Sequence, residues 1–326
     1  MRILVTGAAG FIGYHLCKRL LDVNHIVYGM DNLNDYYDRT KRPLFRLKTA
    51  RLSRLSSYSN FIFRRYDITN REDVALWFHH HSPDIVVNLA AEVGVRNSLE
   101  NPQDYIDTNI SGFLNILEGC RRSNVKHLFY ASSSSVYGDN EDIPFREDHK
   151  TEKPLSFYGA TKKANELMAY TYSHVYNLCT TGLRFFTVYG PWGRPDMSYF
   201  LFTKAILEGQ PIKVFNEGNM SRDFTYIDDI VNGIYQLIIS KSHTTKHSIY
   251  NIGNNKTVKL DYFINLIERG LGKRAIKEML PMQVGDVKTT YSDITKISKM
   301  SGFKPFTSIE VGIPLFLKWY KDFYSV

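Results

Sequence analysis

Short apolar runs alternate with longer amphipathic segments along the first 186 residues of the chain. Each run is four to seven residues long, and most end at glycine or polar residues, which predicts buried strands. The six runs are residues 2–6, 26–31, 61–66, 84–90, 127–131 and 183–186. The segments between them show the apolar spacing of helices with one buried face. Because strands alternate with helices, the sequence predicts an α/β fold with a doubly wound parallel sheet covered on both faces.

The pattern becomes less regular after residue 186. A turn-rich loop comes first, and short apolar runs are then mixed with amphipathic segments. Two short strands are expected around a glycine turn, and helices are expected on either side of a further apolar run. These elements are the loop 187–197, the strands 212–215 and 222–225, and the helices 226–239, 260–271 and 309–324.

Part of this C-terminal region is expected to rejoin the first sheet. The helix at 226–239 and the apolar segment 250–253 have the pattern of one more helix and strand of the same sheet. The remainder forms a smaller α/β lobe, and a cleft should separate the two lobes. The predicted lobes are residues 1–186 plus 226–253, and residues 187–225 plus 254–326.

Composition fits a globular protein of this size, with 326 residues, 43% of them hydrophobic and 23% charged. Three widely spaced cysteines, Cys17, Cys120 and Cys179, predict reduced thiols and a cytoplasmic protein. No apolar run approaches membrane-spanning length, and a glycine loop begins at residue 7, where a signal peptide would need its apolar stretch. Adjacent histidines at 79–81 point in different directions on a helix, so no metal site is expected.

The net charge of +8 is concentrated between Arg39 and Arg54. Such a cluster is compatible with a nucleic acid, a membrane surface or an anionic small molecule. Leucines recur through the segment at helical spacing, at Leu44, Leu47, Leu52 and Leu55. We therefore expect a helix whose basic residues lie on a solvated face, and no nucleic-acid or membrane partner.

A glycine-rich turn follows the first predicted strand and opens the first predicted helix. Gly7 allows the tight turn, Gly10 lets the backbone approach a pyrophosphate, and Gly13 lets the helix pack on the strand. An ordinary strand–helix turn is the weaker alternative, because the placement after the first strand is what a dinucleotide-binding turn requires. The cofactor-binding residues predicted here are Gly7, Gly10, Phe11, Ile12 and Gly13.

The ends of the next strands carry further candidates for cofactor binding. Asp31 lies 18 residues past Gly13, where a carboxylate binds the adenosine ribose and repels a 2′-phosphate, which favours NAD over NADP. Asp67 and Ile68 are placed to meet the adenine, and Ala90 is small enough to let a flat cofactor pass. On the helix predicted at 102–122, Asn109 either reaches the cofactor or serves as a buried structural amide.

Tyr158 and Lys162 are one turn apart on a predicted helix that runs to about Tyr176, so their side chains share a face. A lysine ammonium and a nicotinamide cation both favour the phenolate. Moving a phenol pKa from about 10 to about 7 takes about 4 kcal/mol. Tyr158 is therefore predicted to act as a base toward an alcohol, with Ser133, after the fifth strand, as a hydrogen-bonding relay.

These motifs together resemble the extended short-chain dehydrogenase/reductase family over essentially the whole chain, with its Rossmann-type fold. The matching residues are the glycine turn, Asp31, residues 88–91, Ser133 and the Tyr158/Lys162 pair. Within that family the chain resembles nucleotide-sugar 4-epimerases. The segments 131–138, 184–197 and 285–287 are most similar to those of UDP-glucuronate 4-epimerases.

The resemblance also implies a substrate-binding set. Arg222 and Asp286 would hold the diphosphate and the uridine ribose. Thr187 stands where UDP-galactose epimerases usually have asparagine, and Gln283 stands where they have arginine, so contacts at the sugar and uracil ends should differ. Hydroxyl donors at Ser134, Ser135 and Thr187 and the guanidinium fork of Arg194 are expected to hold the carboxylate of a UDP-uronate. For Arg194 the alternative is a loop-stabilising contact with Asp196 or a neighbouring carbonyl. The predicted substrate-binding set is Ser134, Ser135, Thr187, Arg194, Val214, Arg222 and Asp286.

The reaction implied by the resemblance is an internal redox reaction, in which C4 of a UDP-sugar is oxidised and then reduced on its other face. The most similar enzymes interconvert UDP-glucuronate and UDP-galacturonate. The alternatives are a UDP-glucuronate decarboxylase, an epimerase of neutral UDP-hexoses and an NAD-sensing regulatory protein. A 4,6-dehydratase is less well supported, because Ser134 and Ser135 occupy the positions of its Asp-Glu pair. A homodimer packed through the Tyr158 helix and the 102–122 helix is also implied.

Overall fold

The computed structural model describes residues 1–34, 47–240 and 245–326. A seven-stranded, wholly parallel sheet lies at the centre of the protein. The strands are β1 (Arg2–Thr6), β2 (Ile26–Met30), β3 (Phe61–Arg64), β4 (Ile85–Asn88), β5 (His127–Ser133), β6 (Thr180–Phe185), β7 (Thr187–Tyr189), β8 (Pro211–Phe215), β9 (Ser221–Arg222), β10 (Phe224–Tyr226), β11 (His247–Ile252), β12 (Val258–Lys259) and β13 (Ile276–Leu280). The central sheet has the order β11-β6-β5-β4-β1-β2-β3. Strand β11 pairs with β6, which confirms that the chain returns to the first sheet.

Helices cover both faces of this sheet. They are α1 (Phe11–Asp22), α2 (Leu47–Leu55), α3 (Arg71–His81), α4 (Asn97–Glu100), α5 (Pro102–Tyr105), α6 (Phe113–Arg122), α7 (Phe157–Tyr176), α8 (Ser198–Leu207), α9 (Ile227–Ile239), α10 (Leu260–Leu271), α11 (Thr295–Ser301) and α12 (Ile309–Tyr324). The helix predicted at 102–122 is one helical run, but a π-helical segment, Ile106–Gly112, lies between α5 and α6. None of the described helices is long and apolar enough to cross a membrane.

The unbroken apolar runs of the strands follow from burial on both faces. In β1, Ile3 and Val5 join one buried cluster, and Leu4 joins the cluster on the opposite face of the sheet. A parallel strand covered by helices on both sides has no polar face, so its apolar residues are continuous. The same burial places Cys17 and Cys120 in the interior, and all three cysteines are free thiols.

The smaller lobe differs from the sequence prediction in how its strands pair. The strands predicted at 212–215 and 222–225 form no hairpin: β8 pairs with β13, β9 with β12, and β10 with β7. Helix α8 and strand β13 were not predicted, because their short apolar runs gave no clear period. The division into two lobes at the residue boundaries given above stays a prediction.

The basic segment is the clearest departure from expectation. Residues 39–46 of the predicted helix lie outside the described residues, and α2 covers the rest. Arg51, expected on a solvated face, is fully buried, which corrects the prediction for that residue. Its guanidinium is held by backbone carbonyls that are distant in sequence, and helical periodicity carries no information about them.

Candidate active site

The glycine-rich turn packs tightly between β1, β4 and α1. Gly7 has a φ of +68°, which favours glycine, and a Cβ there would lie 2.9 Å from the amide nitrogen of Ala90. A Cβ on Gly13 would overlap the carbonyl oxygen of Gly7. Because these side chains are absent, the backbone N–H groups at the start of α1 are open to an anionic group. This geometry fits a dinucleotide pyrophosphate.

One cleft collects most of the predicted cofactor and catalytic residues. It follows the carboxyl ends of β1, β2, β4 and β5, where ligands of such sheets bind. The predicted residues that line it are Gly7, Gly10, Phe11, Ile12, Gly13, Asp31, Asp67, Ile68, Ala90, Ser133, Tyr158, Lys162 and Arg194. Sequence positions from 7 to 194 therefore meet in one place.

Asp31 is almost fully buried at the end of β2. Its carboxylate accepts hydrogen bonds from the amides of Ala9 (3.1 Å) and Leu33 (2.8 Å), and it pairs with Lys48 at 3.2 Å. These contacts hold the carboxylate at the cleft wall, where ribose hydroxyls would bind. Lys48 was not predicted as part of the site, because the charges around it suggested only a solvated helix.

Asp67 is also held in position beside the cleft. It accepts hydrogen bonds from the Asn32 side-chain amide (2.8 Å) and from the Thr69 amide and hydroxyl (2.9 and 2.8 Å). Burial raises the pKa of the Asp67 carboxyl, but these hydrogen bonds outweigh it and the net pKa is lowered. Asp67 is thus an ionised acceptor, as adenine binding requires, with Ile68 beside it.

Asn109 does not line the cleft. Its side-chain amide donates to the Glu92 carbonyl (3.0 Å) and to the Thr161 hydroxyl (3.1 Å), and its oxygen accepts from the Glu92 amide (2.9 Å). Those bonds tie the segment after β4 to helix α7. The structural alternative is therefore what the structure shows, and the cofactor-binding prediction for Asn109 is corrected.

Tyr158, Lys162 and Ser133 lie together at the mouth of the sheet. Ser156 caps helix α7 by accepting a hydrogen bond from the Gly159 amide at 3.0 Å, which fixes the first turn that carries Tyr158. The Lys162 ammonium lies 5.9 Å from the centre of the Tyr158 ring and donates to the Ala131 carbonyl at 3.1 Å. The predicted side-chain arrangement is confirmed.

Burial shifts the pKa values of both Lys162 and Tyr158. Burial lowers the pKa of Lys162 to about 7, and no other cause acts on it. Burial also raises the pKa of Tyr158, and the Ser133 hydrogen bond and the Arg194 charge lower it without reversing that rise. The prediction that Lys162 and a nicotinamide cation together favour the phenolate stays a prediction. Desolvation is the largest cause of the shift for both the buried Lys162 and the half-buried Tyr158.

Two residues of the serine run, Ser132 and Ser133, line the cleft. The Ser133 oxygen accepts from the Ser135 amide at 3.1 Å and contacts the Ser135 hydroxyl at 3.2 Å. Ser134 and Ser135 are half-buried in a short 3-10 turn that follows. Their role in substrate binding stays a prediction, and so does that of Thr187, whose amide donates to the Asp223 carbonyl at 3.1 Å.

Arg194 borders the cleft but also makes the contact given above as its alternative. Its guanidinium forms two parallel hydrogen bonds with the Asp196 carboxylate, at 3.1 and 2.5 Å. Asp196 is exposed, so this pairing is accessible to solvent and open to exchange for another carboxylate. Carboxylate binding by Arg194 stays a prediction.

Arg222 and Asp286, predicted to hold the diphosphate and the uridine ribose, are in contact at 2.7 Å. Arg222 also donates to the Ser221 and Lys288 carbonyls, and burial lowers its pKa. Arg96, which no sequence signal identified, lies over the Phe215 ring at 4.8 Å. The Asp286 charge raises the pKa of Arg96 less than burial lowers it.

Val214 is not available to a substrate. Strand β8 alternates buried and exposed positions, and Val214 is fully buried in the core of the smaller lobe, paired in register with Met279. The prediction of Val214 as a substrate-binding residue is therefore corrected. The alternation of apolar and charged residues at 211–215 was the available signal.

Comparison with known proteins identifies the family. Residues 3–253 match the NAD dependent epimerase/dehydratase family. The chain belongs to this family. Protein CapI of Staphylococcus aureus is 49% identical over 340 residues, covering 100% of both chains. A UDP-glucuronate 4-epimerase of Thermodesulfobacterium geofontis is 46% identical over 320 residues, covering 98% of this chain and 96% of the relative.

A solved structure supports the same assignment. UDP-glucuronic acid 4-epimerase from Bacillus cereus, in complex with UDP-glucuronic acid and NAD, has 36% sequence identity and a TM-score of 0.92. The match covers 99% of this chain and 100% of that one. The predicted family and Rossmann-type fold are confirmed, and so is NAD as the cofactor of this epimerase/dehydratase family member.

Directly behind Ser133, this family member has a buried ion pair. The guanidinium of Arg184 on β6 forms two hydrogen bonds, at 2.8 and 2.9 Å, with the carboxylate of Glu166 on α7. The same carboxylate accepts from the Ser132 hydroxyl at 2.7 Å, and Arg184 also donates to the Tyr137 hydroxyl at 2.9 Å. The pair therefore connects the end of β5 with α7, the two elements that carry Ser133 and Tyr158.

Proposed function

We propose that this protein is an NAD-dependent epimerase that interconverts UDP-glucuronate and UDP-galacturonate. The observation that carries the proposal is the meeting of Ser133, Tyr158 and Lys162 with Arg194 in the one cleft that also holds the dinucleotide turn. The names of the relatives and of the Bacillus cereus structure support the same substrate. A regulatory NAD sensor would have no use for this combination.

The residues of the chain divide the chemical work between them. NAD, when bound, supplies the acceptor and then the donor of the C4 hydride. Tyr158 takes the proton of the 4-hydroxyl group as C4 is oxidised and returns it when C4 is reduced. Ser133, hydrogen-bonded to Tyr158, orients the same substrate oxygen and passes the proton on. Lys162 anchors the end of β5 through the Ala131 carbonyl and holds its ammonium beside the tyrosine ring.

The carboxylate of the substrate decides between an epimerase and a decarboxylase. Oxidation of C4 in a glucuronate gives a β-keto acid, which loses CO2 most readily when its carboxylate bond is perpendicular to the ketone plane. Hydroxyl donors at Ser134, Ser135 and Thr187, with the guanidinium of Arg194, would hold the carboxylate out of that alignment. Of the acids that line the cleft, Glu92 accepts a hydrogen bond from the Asn34 side-chain amide at 3.2 Å. This arrangement favours epimerisation.

Turnover of a panel of UDP-sugars, followed by NMR, tests the proposal. We expect UDP-glucuronate and UDP-galacturonate to interconvert and UDP-glucose to react far more slowly. Arg194→Ala should lose about 1.5–3 kcal/mol of transition-state binding for the acid substrates, the value of a charge-assisted hydrogen bond, and little for neutral sugars. A UDP-pentose as the main wild-type product would make the protein a decarboxylase. Equal losses on acid and neutral sugars would remove Arg194 from carboxylate recognition.

We also propose a homodimer packed through α6 and α7. These helices leave large apolar side chains in solvent, including Leu114 (41% exposed) on α6 and Leu167 (58%) and Tyr170 (56%) on α7. Sedimentation should give about twice the 37.7 kDa mass of one chain. Leu167→Glu should yield monomers, whereas Val311→Glu, at a comparably exposed position on α12, should not. A monomeric wild-type protein would refute the proposal.

We further propose that the lobe of residues 1–186 plus 226–253 binds NAD and that residues 187–225 plus 254–326 bind the UDP group. Support comes from the glycine turn in the first lobe and from the contact between Arg222 and Asp286 in the second. Hydrogen exchange with and without UDP would test this division. The free cysteines support a reducing, cytoplasmic location, which cell fractionation would test.

A further inference from the structure

The side chain of Arg51 is hydrogen-bonded to two loops, the glycine turn predicted to bind the cofactor and the loop that carries Arg194. Its guanidinium donates to the Ala9 carbonyl in the glycine turn at 2.9 Å. The same group donates to the Trp192 carbonyl at 3.1 and 2.5 Å and to the Gly193 carbonyl at 3.0 Å. Residue 193 is directly followed by Arg194. A single fully buried side chain thus bonds to the backbone of the cofactor turn and to the backbone that carries Arg194.

Other contacts at this junction show that the two loops pack as one unit. His15 on α1 contacts the Pro191 carbonyl at 3.0 Å, and the Tyr14 and Trp192 rings lie 5.7 Å apart. Burial lowers the pKa of His15 to about 3, so this ring is neutral and adds no charge to the junction at physiological pH. Arg51 is the residue whose charged hydrogen bonds reach both loops.

Both backbone polar groups of Ala9, its N–H and its C=O, are hydrogen-bonded to side chains. Its amide donates to Asp31 at 3.1 Å, and its carbonyl accepts from Arg51 at 2.9 Å. A shift of the glycine turn on cofactor binding would therefore pass through the Arg51 guanidinium to the Trp192 and Gly193 carbonyls. The Arg194 amide donates to the Tyr199 hydroxyl at 3.2 Å, and the Arg194 carbonyl accepts from the Met197 amide at 3.2 Å.

We propose that Arg51 is a positioning residue that sets the place of Arg194 from the cofactor turn, and through it the preference for acid substrates. The inference rests on the proposed function, since it concerns the carboxylate of a UDP-uronate. An arginine is needed because its planar fork bonds to several carbonyls at once, whereas a lysine ammonium is a point charge. Misplacement of a binding group by about 1 Å costs up to about 100-fold in rate.

Arg51→Lys tests the proposal, because it keeps the positive charge and removes the fork. We expect the ratio of kcat/KM for UDP-glucuronate to that for UDP-glucose to fall about tenfold or more, and bound NAD to be lost faster in dialysis. Arg54→Lys is the matched control. Arg54 lies three residues further along α2, over the Trp192 ring at 5.3 Å, and bonds to the Tyr14 hydroxyl at 3.1 Å. Its ratio should stay at the wild-type value.

A double-mutant cycle locates the effect. If Arg51 acts through Arg194, then Arg51→Lys should change the acid-to-neutral ratio little in an Arg194→Ala background. A full additional loss in that background, or an unchanged ratio in the single variant, would overturn the proposal and leave Arg51 a packing residue. Thermal unfolding of each variant separates a general loss of stability from a change in the ratio.

A second variant covers the case in which Arg51→Lys does not fold. Tyr199→Phe removes the hydroxyl that holds the Arg194 amide and leaves Arg51 in place. It should lower the acid-to-neutral ratio in the same direction, and an unchanged ratio would overturn the proposal. Failure of the proposed function itself is visible earlier, because wild-type protein would then not interconvert the two UDP-uronates.

Discussion

Replacing Tyr158 with phenylalanine should leave a folded protein that retains NAD and turns over its substrate on the order of a thousandth as fast as the wild type. In the proposed reaction the phenol accepts the 4-hydroxyl proton, and Ser133, bonded to it, has too high a proton affinity to replace it. The ring itself packs edge-on against Tyr105 with centres 6.2 Å apart, a contact that phenylalanine keeps. Retention of a tenth of the wild-type rate would contradict the assignment.

The matched control for this variant lies on the same helix. Tyr172 on α7 donates its hydroxyl to Glu118 at 2.8 Å, far along the helix from the cleft. Tyr172→Phe also removes one phenolic hydroxyl from α7 but leaves Ser133 and Lys162 untouched. It should therefore keep its turnover rate, and NAD absorbance and circular dichroism should show both variants folded and loaded. A comparable loss in Tyr172→Phe would point to damage to α7 and not to a missing base.

The sequence predicted those parts of the site that follow from local pattern. A strand, a glycine turn and a helix are contiguous, and Asp31 lies at the end of the next strand, so backbone geometry dictates their meeting. Tyr158 and Lys162 are one helical turn apart and needed no tertiary information. Their proton affinities were harder to predict, because burial moves the pKa of both groups and cannot be read from spacing.

The residues that the sequence misjudged depend on distant partners. Arg51 looked solvated because its neighbours are basic, yet its hydrogen-bond acceptors lie up to 142 residues away. Asn109 forms its amide hydrogen bonds within the protein, and Arg96 lies over the Phe215 ring, with no motif to mark either contact. Val214 differs, since its strand already alternated in the sequence. The environment of such side chains depends on tertiary contacts, whereas the periodicity of a single sequence shows only which face of a helix or strand is apolar.

Removing one partner of the buried pair behind Ser133 should have the largest effect on stability. Arg184→Met leaves the Glu166 carboxylate buried without its bidentate partner, which costs about 3–5 kcal/mol of unfolding free energy. Lys163, 3.5 Å from the same carboxylate, should keep the loss near the lower value. Arg121→Met is the matched control, since its pair with Glu118 is partly exposed and should contribute far less to stability. Urea unfolding measures both losses.

The pH dependence of the loss identifies its cause. In the wild type, burial raises the pKa of Glu166, but the hydrogen bonds and charge of Arg184 outweigh it and the net pKa is lowered. That interaction stabilises the fold above the unfolded pKa of about 4.3 and is lost as pH falls through the folded value. In Arg184→Met, burial should dominate and raise the Glu166 pKa. Protonation should then remove the cost of burying an unpaired carboxylate. The difference in unfolding free energy between wild type and variant should therefore shrink from pH 7 to pH 5.

Adding Glu166→Met to Arg184→Met should restore part of the stability, because two apolar side chains then replace the buried, unpaired carboxylate. A loss that is independent of pH and not recovered in the double variant would mean that Arg184 stabilises the fold through packing alone.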